Sequence, residues 1–354
     1  MSKFLAGAYR GLAAYVPGEQ PRDRKYIKLN TNESPYPPSP KVTAAIAEKT
    51  GDMNLYPDPE YKSFREKAAA YHGVGIENVS VGGGSDELLD WIFRAFFADR
   101  GVIFPDVTYG FYKVWAALYG IKYREIPLKD DFTIDLADYT KAEKGGPCVI
   151  LADPNAPTGV AAGREAIGAI VAADPDRIVV IDEAYADFSD YTSAPLIGKY
   201  DNLIVVRTFS KSRSFAGGRA AYCLASPDVI RDIEFMRFST NPFNLSRMAC
   251  AAAEASFEDD AYFKEHVGAV VETRKKFSMA LKGLGFEVLP SSANFVFARY
   301  PGKSGKELAG ELRERSILIR RFDSERIKDY LRITIGTEEQ MNVLVGALAD
   351  ILKK

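Results

Sequence analysis

Leu203-Ile204-Val205-Val206 leads into Thr208-Phe209-Ser210-Lys211, and Gly217-Gly218-Arg219 follows shortly after. The apolar run is typical of a strand that is buried on both faces of a parallel sheet. Ser210 and Lys211 therefore lie where a predicted strand ends, and ligands of open α/β sheets bind at that edge. A desolvated lysine there can form a Schiff base with a carbonyl, and a neighbouring hydroxyl and guanidinium suit a phosphate.

A Ser-Lys pair alone is commonly a solvated surface feature, so the interpretation depends on other segments. Polar clusters also follow predicted strands at Gly82-Gly83-Gly84-Ser85-Asp86-Glu87, Asp153-Pro154-Asn155-Ala156-Pro157-Thr158-Gly159 and Asp182-Glu183-Ala184-Tyr185. The carboxyl ends of parallel strands meet at one edge of a sheet, so these clusters are predicted to converge. A helix cap would explain Asp182 alone, but it would not explain the repeated pattern.

The bulk composition excludes several classes of protein. The chain has 354 residues, enough for two domains, and its net charge of −2 argues against a dedicated nucleic-acid surface. Three widely spaced cysteines without a CxxC pattern indicate a reducing cytoplasm, and two histidines leave little material for a metal site. No apolar stretch approaches the roughly 20 residues of a membrane span, so we expect a soluble protein that is not exported.

Glycine residues 82–84 let the backbone approach a ligand, and the first turn of the helix that follows offers free N–H groups to a phosphate. The run is not G-x-G-x-x-G, so an NAD-dependent oxidoreductase is disfavoured. Together, the motifs resemble the fold-type I pyridoxal-phosphate enzymes of the aspartate aminotransferase superfamily, and within it most closely the histidinol-phosphate aminotransferase family. The resemblance covers nearly the whole chain and includes Asn32-Glu33-Ser34-Pro35, Tyr56-Pro57-Asp58-Pro59 and Ser292-Ala293-Asn294-Phe295.

This resemblance implies an α/β fold. A large domain would hold a mostly parallel seven-stranded sheet between helices, and a small α+β domain would follow it. We expect an N-terminal arm over residues 1–40, the large cofactor-binding domain over 41–245 and the small domain over 246–354.

The resemblance also implies pyridoxal 5'-phosphate as the cofactor. Lys211 would hold it and shuttle a proton as general base and acid, Asp182 would pair with the protonated pyridine nitrogen, and Tyr109 would stack on the ring. Asn155 and Tyr185 would bond to the phenolic oxygen of the cofactor. The cofactor phosphate would be held by Ser85, Asp86, Ser210 and Arg219.

Substrate contacts are implied at Tyr15, Asn155, Arg320 and Arg332, although Arg321 competes with Arg320 for its position. Leu331-Arg332-Ile333-Thr334-Ile335 alternates apolar and polar residues, which is typical of a strand with one face toward a polar site or toward solvent. The resemblance further implies that Tyr56 reaches the cofactor phosphate of a neighbouring subunit, which requires a homodimer.

The reaction that the resemblance implies is transamination between an amino donor and a 2-oxo acid, with histidinol phosphate and 2-oxoglutarate or glutamate as the partners in histidine biosynthesis. An aromatic amino acid aminotransferase, a threonine-phosphate decarboxylase and a non-catalytic binding protein on the same fold are the alternatives. Two residues depart from the family pattern: Ser34 replaces an asparagine, and Gly218 replaces a bulky apolar residue.

Overall fold

The structure is a computed structural model that describes residues 2–141 and 144–353. The strands, in chain order, are β1 Ile27–Leu29, β2 Val79–Gly82, β3 Val102–Pro105, β4 Tyr123–Ile126, β5 Cys148–Ala152, β6 Val179–Asp182, β7 Leu203–Thr208, β8 Ala221–Leu224, β9 Glu287–Val288, β10 Phe295–Arg299, β11 Ile317–Arg321 and β12 Tyr330–Thr334. The helices are α1 Pro40–Lys49, α2 Lys62–His72, α3 Ser85–Ile92, α4 Phe111–Leu118, α5 Ala137–Thr140, α6 Arg164–Ala172, α7 Pro227–Thr240, α8 Arg247–Glu258, α9 Asp260–Gly283, α10 Gly305–Glu314 and α11 Glu338–Leu352.

Within the described residues, the larger sheet has seven strands in the order β2-β8-β7-β6-β5-β3-β4. Neighbours from β7 to β4 run parallel, whereas β8 is antiparallel to both β7 and β2. Every residue of β5, β6 and β7 is buried, as expected for parallel strands that helices cover on both sides. The predicted fold class, an α/β protein with a mostly parallel seven-stranded sheet, is confirmed.

Helices cover the two faces of this central sheet in separate groups. We call the face under α2, α6 and α8 the α2 face, and the face under α3, α4 and α7 the α4 face. Successive strand residues point to opposite faces, so Leu151 and Ile181 enter the core of the α2 face, while Ile150 and Val180 enter that of the α4 face.

A second sheet, in the order β1-β11-β12-β10-β9, carries the α+β part of the fold. Its core is completed by α9, α10 and α11. β1 comes from the segment predicted to be an extended arm, and it pairs in parallel with β11. β1 was not predicted from the sequence, because a strand of three residues is too short to show a hydrophobic period.

The predicted domain boundaries stay predictions, and packing adds one detail. α8 follows residue 246, yet Ala249 and Ala253 pack in the core of the α2 face. α9 contributes Phe277 and Leu281 to the core of the second sheet. The chain therefore leaves the core of the α2 face and enters the core of the second sheet between α8 and α9.

None of the helices in the described ranges is both long and apolar enough to span a bilayer. In the same ranges, no group of three or more His, Cys, Asp or Glu side chains is placed to hold a metal ion.

Candidate active site

The carboxyl edge of the central sheet borders an open cleft with an internal volume of about 180 Å³. This is the location that the strand-end motifs predicted. The cleft brings together most of the predicted site residues, namely Ser85, Asp86, Tyr109, Asp182, Tyr185, Ser210, Lys211 and Arg219. Thr31 and Glu33 also line it, so the N-terminal arm crosses the cleft.

Lys211 follows β7 and lies half-buried in the cleft wall. Its Nζ donates a hydrogen bond to the carbonyl oxygen of Thr31 at 3.3 Å and lies 5.8 Å from the centre of the Tyr185 ring. No carboxylate among the described residues forms an ion pair with Lys211. The amine is therefore held by a carbonyl and an aromatic face, and it remains available to a ligand.

Asp182 ends β6 and is only 5% exposed. Tyr112 Oη donates to its Oδ2 at 2.9 Å, and the backbone N–H of Ala184 donates to its Oδ1 at 3.2 Å. Burial raises the pKa of Asp182 to about 6, against the opposing effect of the Tyr112 hydrogen bond. A buried carboxylate of this kind favours a cationic partner in the cleft.

An anion cradle lies at the start of α3. Gly84 has a φ of +107°, and a Cβ there would lie 2.3 Å from Arg219 Nη2. Glycine is thus required for the Arg219 guanidinium to approach this turn. Ser210 Oγ lies 3.5 Å from Arg219 Nη1 and accepts a hydrogen bond from Thr208 Oγ1 at 3.0 Å. A guanidinium, a hydroxyl and free helix N–H groups together fit a phosphate.

Tyr109 forms a side wall of the cleft. Its Oη donates to Asp86 Oδ1 at 3.0 Å, and its ring meets that of Tyr112 edge-on with centroids 5.5 Å apart. Burial, reinforced by the charge of Asp86, raises the pKa of Tyr109 well above its ordinary value. The hydroxyl therefore stays protonated, and the ring is fixed at two points.

Asn155 lies beside the cleft but does not line it. Its Nδ2 donates to the carbonyl oxygen of Val107 and to Thr158 Oγ1, both at 2.9 Å, and its Oδ1 accepts from Thr108 at 2.9 Å. Both amide hydrogens are thus used within the protein. The predicted contact of Asn155 with a cofactor oxygen stays a prediction, and it would require one of these bonds to be exchanged.

Arg320 and Arg332 are direct cross-strand partners on β11 and β12. Like charges in this position repel each other unless an anion lies between them. Arg320 donates to the carbonyl oxygens of Val16 and Pro17 at 3.0 and 3.2 Å, and burial lowers the pKa of Arg332. The pair is suited to a doubly charged group on a ligand.

Register and pairing also distinguish Arg320 from its neighbour. Arg321 lies opposite Leu331 and pairs with Asp323, so Arg320 is the residue that faces Arg332.

Tyr15 and Tyr56 lie apart from the core of the site. The Tyr15 ring stacks on Phe111 at 4.8 Å and lies 6.1 Å from the Tyr109 ring. Burial raises the pKa of Tyr15, while the nearby positive charges of Arg332 and Arg320 act to lower it. Tyr56 is 75% exposed and stacks on Phe243 at 4.5 Å, outside this cleft.

The two departures from the family pattern have local explanations. Ser34 Oγ accepts a hydrogen bond from Ser214 Oγ at 2.8 Å, which ties the arm to the segment after Lys211. A Cβ on Gly218 would lie 1.9 Å from the Phe215 ring, so the ring occupies the space that a bulkier residue would take.

Tyr112 was not predicted as a site residue, and neither Thr31 nor Glu33 was assigned a role from the sequence. Tyr112 lies in an apolar helix, where an aromatic residue is ordinarily part of the core. Glu33 belongs to a quoted motif, and its carboxylate accepts from Lys28 Nζ at 2.6 Å. The contacts of Tyr112 with Asp182 and of Thr31 with Lys211 join residues far apart in the chain, and a local motif carries no signal for them.

The fold and the cleft define an enzyme class. The family model described as "Aminotransferase class I and II" matches residues 24–348, so the chain belongs to this family. The resemblance based on the motifs is thereby confirmed.

Individual relatives are similar over full length. Histidinol-phosphate aminotransferase 1 of Bradyrhizobium diazoefficiens is 46% identical over 353 residues, which cover 99% of this chain and 100% of the relative. Histidinol-phosphate aminotransferase 1 of Bordetella parapertussis is 49% identical, with 99% of each chain covered. The solved histidinol-phosphate aminotransferase of Sinorhizobium meliloti in complex with pyridoxal-5'-phosphate aligns with a TM-score of 0.85 at 28% identity, covering 93% of this chain and 92% of that one.

Proposed function

We propose that the chain is a pyridoxal-phosphate-dependent histidinol-phosphate aminotransferase of histidine biosynthesis. The observation that carries the proposal is the half-buried Lys211 amine in the same cleft as the buried Asp182 carboxylate and the anion cradle of Gly84 and Arg219. The names of the full-length relatives support histidinol phosphate as the substrate, and the cofactor of the solved relative supports pyridoxal phosphate.

The cleft residues fit this cofactor. Bound pyridoxal phosphate supplies an aldehyde that takes up an amine and a ring that withdraws electrons. Lys211 Nζ would hold the aldehyde carbon, and Asp182 would hold the ring nitrogen in its protonated form. The phosphate would be held by the backbone N–H groups of Ser85 and Asp86 at the start of α3, together with the Ser210 hydroxyl and the Arg219 guanidinium.

Lys211 also moves the proton in this proposal. Released from the cofactor by an amino substrate, the Lys211 Nζ would serve as general base and then general acid: it would take the proton from the substrate carbon that bears nitrogen and give it up on the cofactor side. The Asp182 carboxylate would stay ionised beside the ring nitrogen, a cationic partner of the kind that its burial favours. Tyr109 would hold the plane of the ring.

Arg320 and Arg332 would hold the phosphate of histidinol phosphate, with Tyr15 beside them. The amino group of this donor passes to 2-oxoglutarate, which leaves the corresponding ketone and glutamate. Both substrates carry an anionic group at a distance from the reacting carbon, so one arginine pair serves both halves of the exchange.

We also propose that the protein is a cytoplasmic homodimer in which Tyr56 reaches the neighbouring cofactor phosphate. The exposed Tyr56 ring and its Phe243 neighbour support the contact, and three free cysteines support a reducing compartment. Light scattering should give twice the 39.0 kDa chain mass. A monomer with full activity would contradict the dimer.

The half-reaction of the cofactor-loaded protein tests the function. Histidinol phosphate and glutamate, added separately, should each convert the bound cofactor to its pyridoxamine form, measured by visible absorbance. Conversion by phenylalanine but not by histidinol phosphate would assign an aromatic substrate instead. Release of carbon dioxide from threonine phosphate without a pyridoxamine product would overturn transamination.

Lys211→Ala provides the matched control. This variant should lose turnover by at least about 10⁴-fold, because it lacks both the point of attachment and the proton carrier. Its circular dichroism should match the wild-type spectrum. Substantial activity in the variant would remove Lys211 from the reaction.

A further inference from the structure

Asn32 lies in the arm and connects the second sheet to the cleft. It is 1% exposed and has a φ of 57°. The Asn32 Nδ2 donates to Tyr185 Oη at 2.9 Å, and Asn294 Nδ2 donates to the backbone carbonyl oxygen of Asn32 at 3.0 Å. Thr334 makes two bonds with it: Thr334 Oγ1 accepts from the Asn32 backbone N–H and donates to Asn32 Oδ1, both at 3.0 Å.

These bonds fix the orientation of the Asn32 amide. Thr334 has a single hydroxyl hydrogen, and Asn32 Oδ1 accepts it. If the amide were turned over, its NH₂ group would face the Thr334 hydroxyl, whose hydrogen would lose its acceptor at a site where Thr334 is 3% exposed. A buried donor without an acceptor is costly. The amide nitrogen therefore faces Tyr185.

The orientation of Asn32 determines what the Tyr185 hydroxyl can do. Because Tyr185 Oη accepts from Asn32, its own hydrogen must be donated elsewhere. It donates to no residue in the described part of the chain, while Tyr185 lines the cleft beside Lys211. An ionised oxygen on a ligand in the cleft is the acceptor that this arrangement suits.

We propose that Asn32, oriented by Thr334, is a positioning residue that makes the Tyr185 hydroxyl a hydrogen-bond donor to the ring oxygen of bound pyridoxal phosphate. This inference rests on the proposed function. It assigns a role to the first residue of the Asn32-Glu33-Ser34-Pro35 motif, a role that acts through Tyr185 and involves no contact with the substrate.

Contacts of β12 with the arm also connect Asn32 to Arg332, the residue proposed to hold the substrate. Arg332 and Thr334 are two positions apart on β12, so their side chains lie on the same face of the strand. Arg332 Nη2 donates to the carbonyl oxygen of Asn30 at 3.0 Å, and Thr334 holds Asn32. The strand that carries the substrate arginine thus also holds the residue that orients Tyr185.

The test is the pH titration of the visible absorbance of the cofactor-loaded protein. A hydrogen-bond donor to the ring oxygen stabilises the anionic form of that oxygen. It therefore lowers the pKa of the nitrogen that links Lys211 to the cofactor, and this pKa is the midpoint of the titration. Tyr185→Phe should raise the midpoint by about one pH unit. Asn32→Ala and Thr334→Val should raise it by a large part of that shift, and Thr334→Ser should restore the wild-type midpoint.

A double-mutant cycle separates this role from a merely structural one. In the Tyr185→Phe background, Asn32→Ala should cause no further shift, because Asn32 acts through the missing hydroxyl. The affinity for the cofactor, measured by fluorescence quenching of the apoprotein, should follow the same pattern. Tyr139→Phe is the control, because it removes a buried hydroxyl without a described partner, and it should leave the midpoint unchanged.

The outcomes separate two failures. A wild-type protein that binds no pyridoxal phosphate overturns the proposed function, and this inference with it. If the wild-type protein binds pyridoxal phosphate and its absorbance titrates, two results would overturn the inference alone. One is an unchanged midpoint in Asn32→Ala, and the other is a full additional shift of the midpoint in the double variant. If Asn32→Ala does not fold, the nearly isosteric Thr334→Val decides by the same criteria.

Discussion

Asp153 and Asp182 lie at the ends of neighbouring parallel strands, and their environments are alike in several respects. Asp153 directly follows β5, whose last residue, Ala152, is the register partner of Asp182. Both carboxyls are buried, and both accept a hydrogen bond from a tyrosine, Asp153 from Tyr191 and Asp182 from Tyr112. Burial raises the pKa of each to about 6.

The difference between the two aspartates is the face of the sheet toward which each points. Asp182 is two residues after Val180 and shares the α4 face with Tyr112, where the cleft opens. Asp153 is two residues after Leu151, on the α2 face, and its Oδ1 accepts from the backbone N–H of Ala162 at 2.7 Å. A raised pKa is therefore insufficient to identify a functional carboxyl, and the surroundings of the group decide its role.

Replacing each aspartate by asparagine gives the largest expected contrast. Asp182→Asn should lower kcat by about 10²–10³-fold, because an amide cannot stabilise a cationic ring nitrogen. Asp153→Asn should stay within about threefold of the wild type, because Asp153 does not itself line the cleft and bonds instead to the backbone of Ala162. Steady-state kinetics at saturating cofactor measures both. Equal losses in the two variants would remove the distinction.

The pH dependence of stability sharpens the comparison. Each folded-state pKa of about 6 lies above the ordinary value of 3.8, so the folded protein binds these protons more tightly than the unfolded chain. Each aspartate therefore favours folding at low pH, and stability is lost as the pH rises from about 4 to about 6. Relative to wild type, the free energy of unfolding of either Asn variant should increase by about 1–3 kcal/mol across that window.

Bound cofactor should distinguish the contributions of the two aspartates to the pH dependence of the free energy of unfolding. That free energy is measured by urea unfolding at several pH values. A cation beside Asp182 lowers the pKa of that carboxyl, so loading the protein should remove the pH-dependent part contributed by Asp182. The part contributed by Asp153 should persist. Persistence of both contributions in the loaded protein would contradict the pairing of Asp182 with the cofactor.

The two tyrosines give the smallest expected effects. Tyr112→Phe should weaken cofactor binding by about 3–10-fold, because Asp182 loses one of its two hydrogen bonds. Tyr191→Phe should instead lower stability by about 1 kcal/mol without changing the cofactor dissociation constant. Equilibrium titration with pyridoxal phosphate and thermal unfolding provide the two readouts. A weaker cofactor complex in Tyr191→Phe would show that the two faces are coupled.

Much of the central sheet was predictable from sequence, because fully buried parallel strands appear as apolar runs. The apolar run at 203–206 predicted β7, which the structure extends to Thr208, and the strands predicted before the Asp153 and Asp182 clusters are β5 and β6. The edge at which the motifs meet followed from the parallel direction of these strands. Their convergence in one cleft is therefore a consequence of strand order and requires no further signal.

Contacts between side chains far apart in sequence were not predictable. Tyr112 is indistinguishable in sequence from the core aromatics around it, and Asn32 has partners at residues 185 and 334. The ligand contact that the Asn155 motif predicts stays a prediction, and the motif gave no sign that the amide of Asn155 also bonds to Val107 and Thr158. Competition among hydrogen-bond partners is settled by three-dimensional packing, which a local motif does not contain.

The pairing of β1 with β11 has a consequence for synthesis of the protein. Ile27 lies opposite Ile317, so β1 finds its neighbour only after the long stretch of chain between these two residues has been made. Pairings of such long separation form slowly, because closing a long loop has an entropic cost. The central sheet can assemble earlier, but the arm that closes over it must wait. The nascent chain therefore carries an incomplete cleft for most of its synthesis, and enzymatic competence arrives as one of the last events.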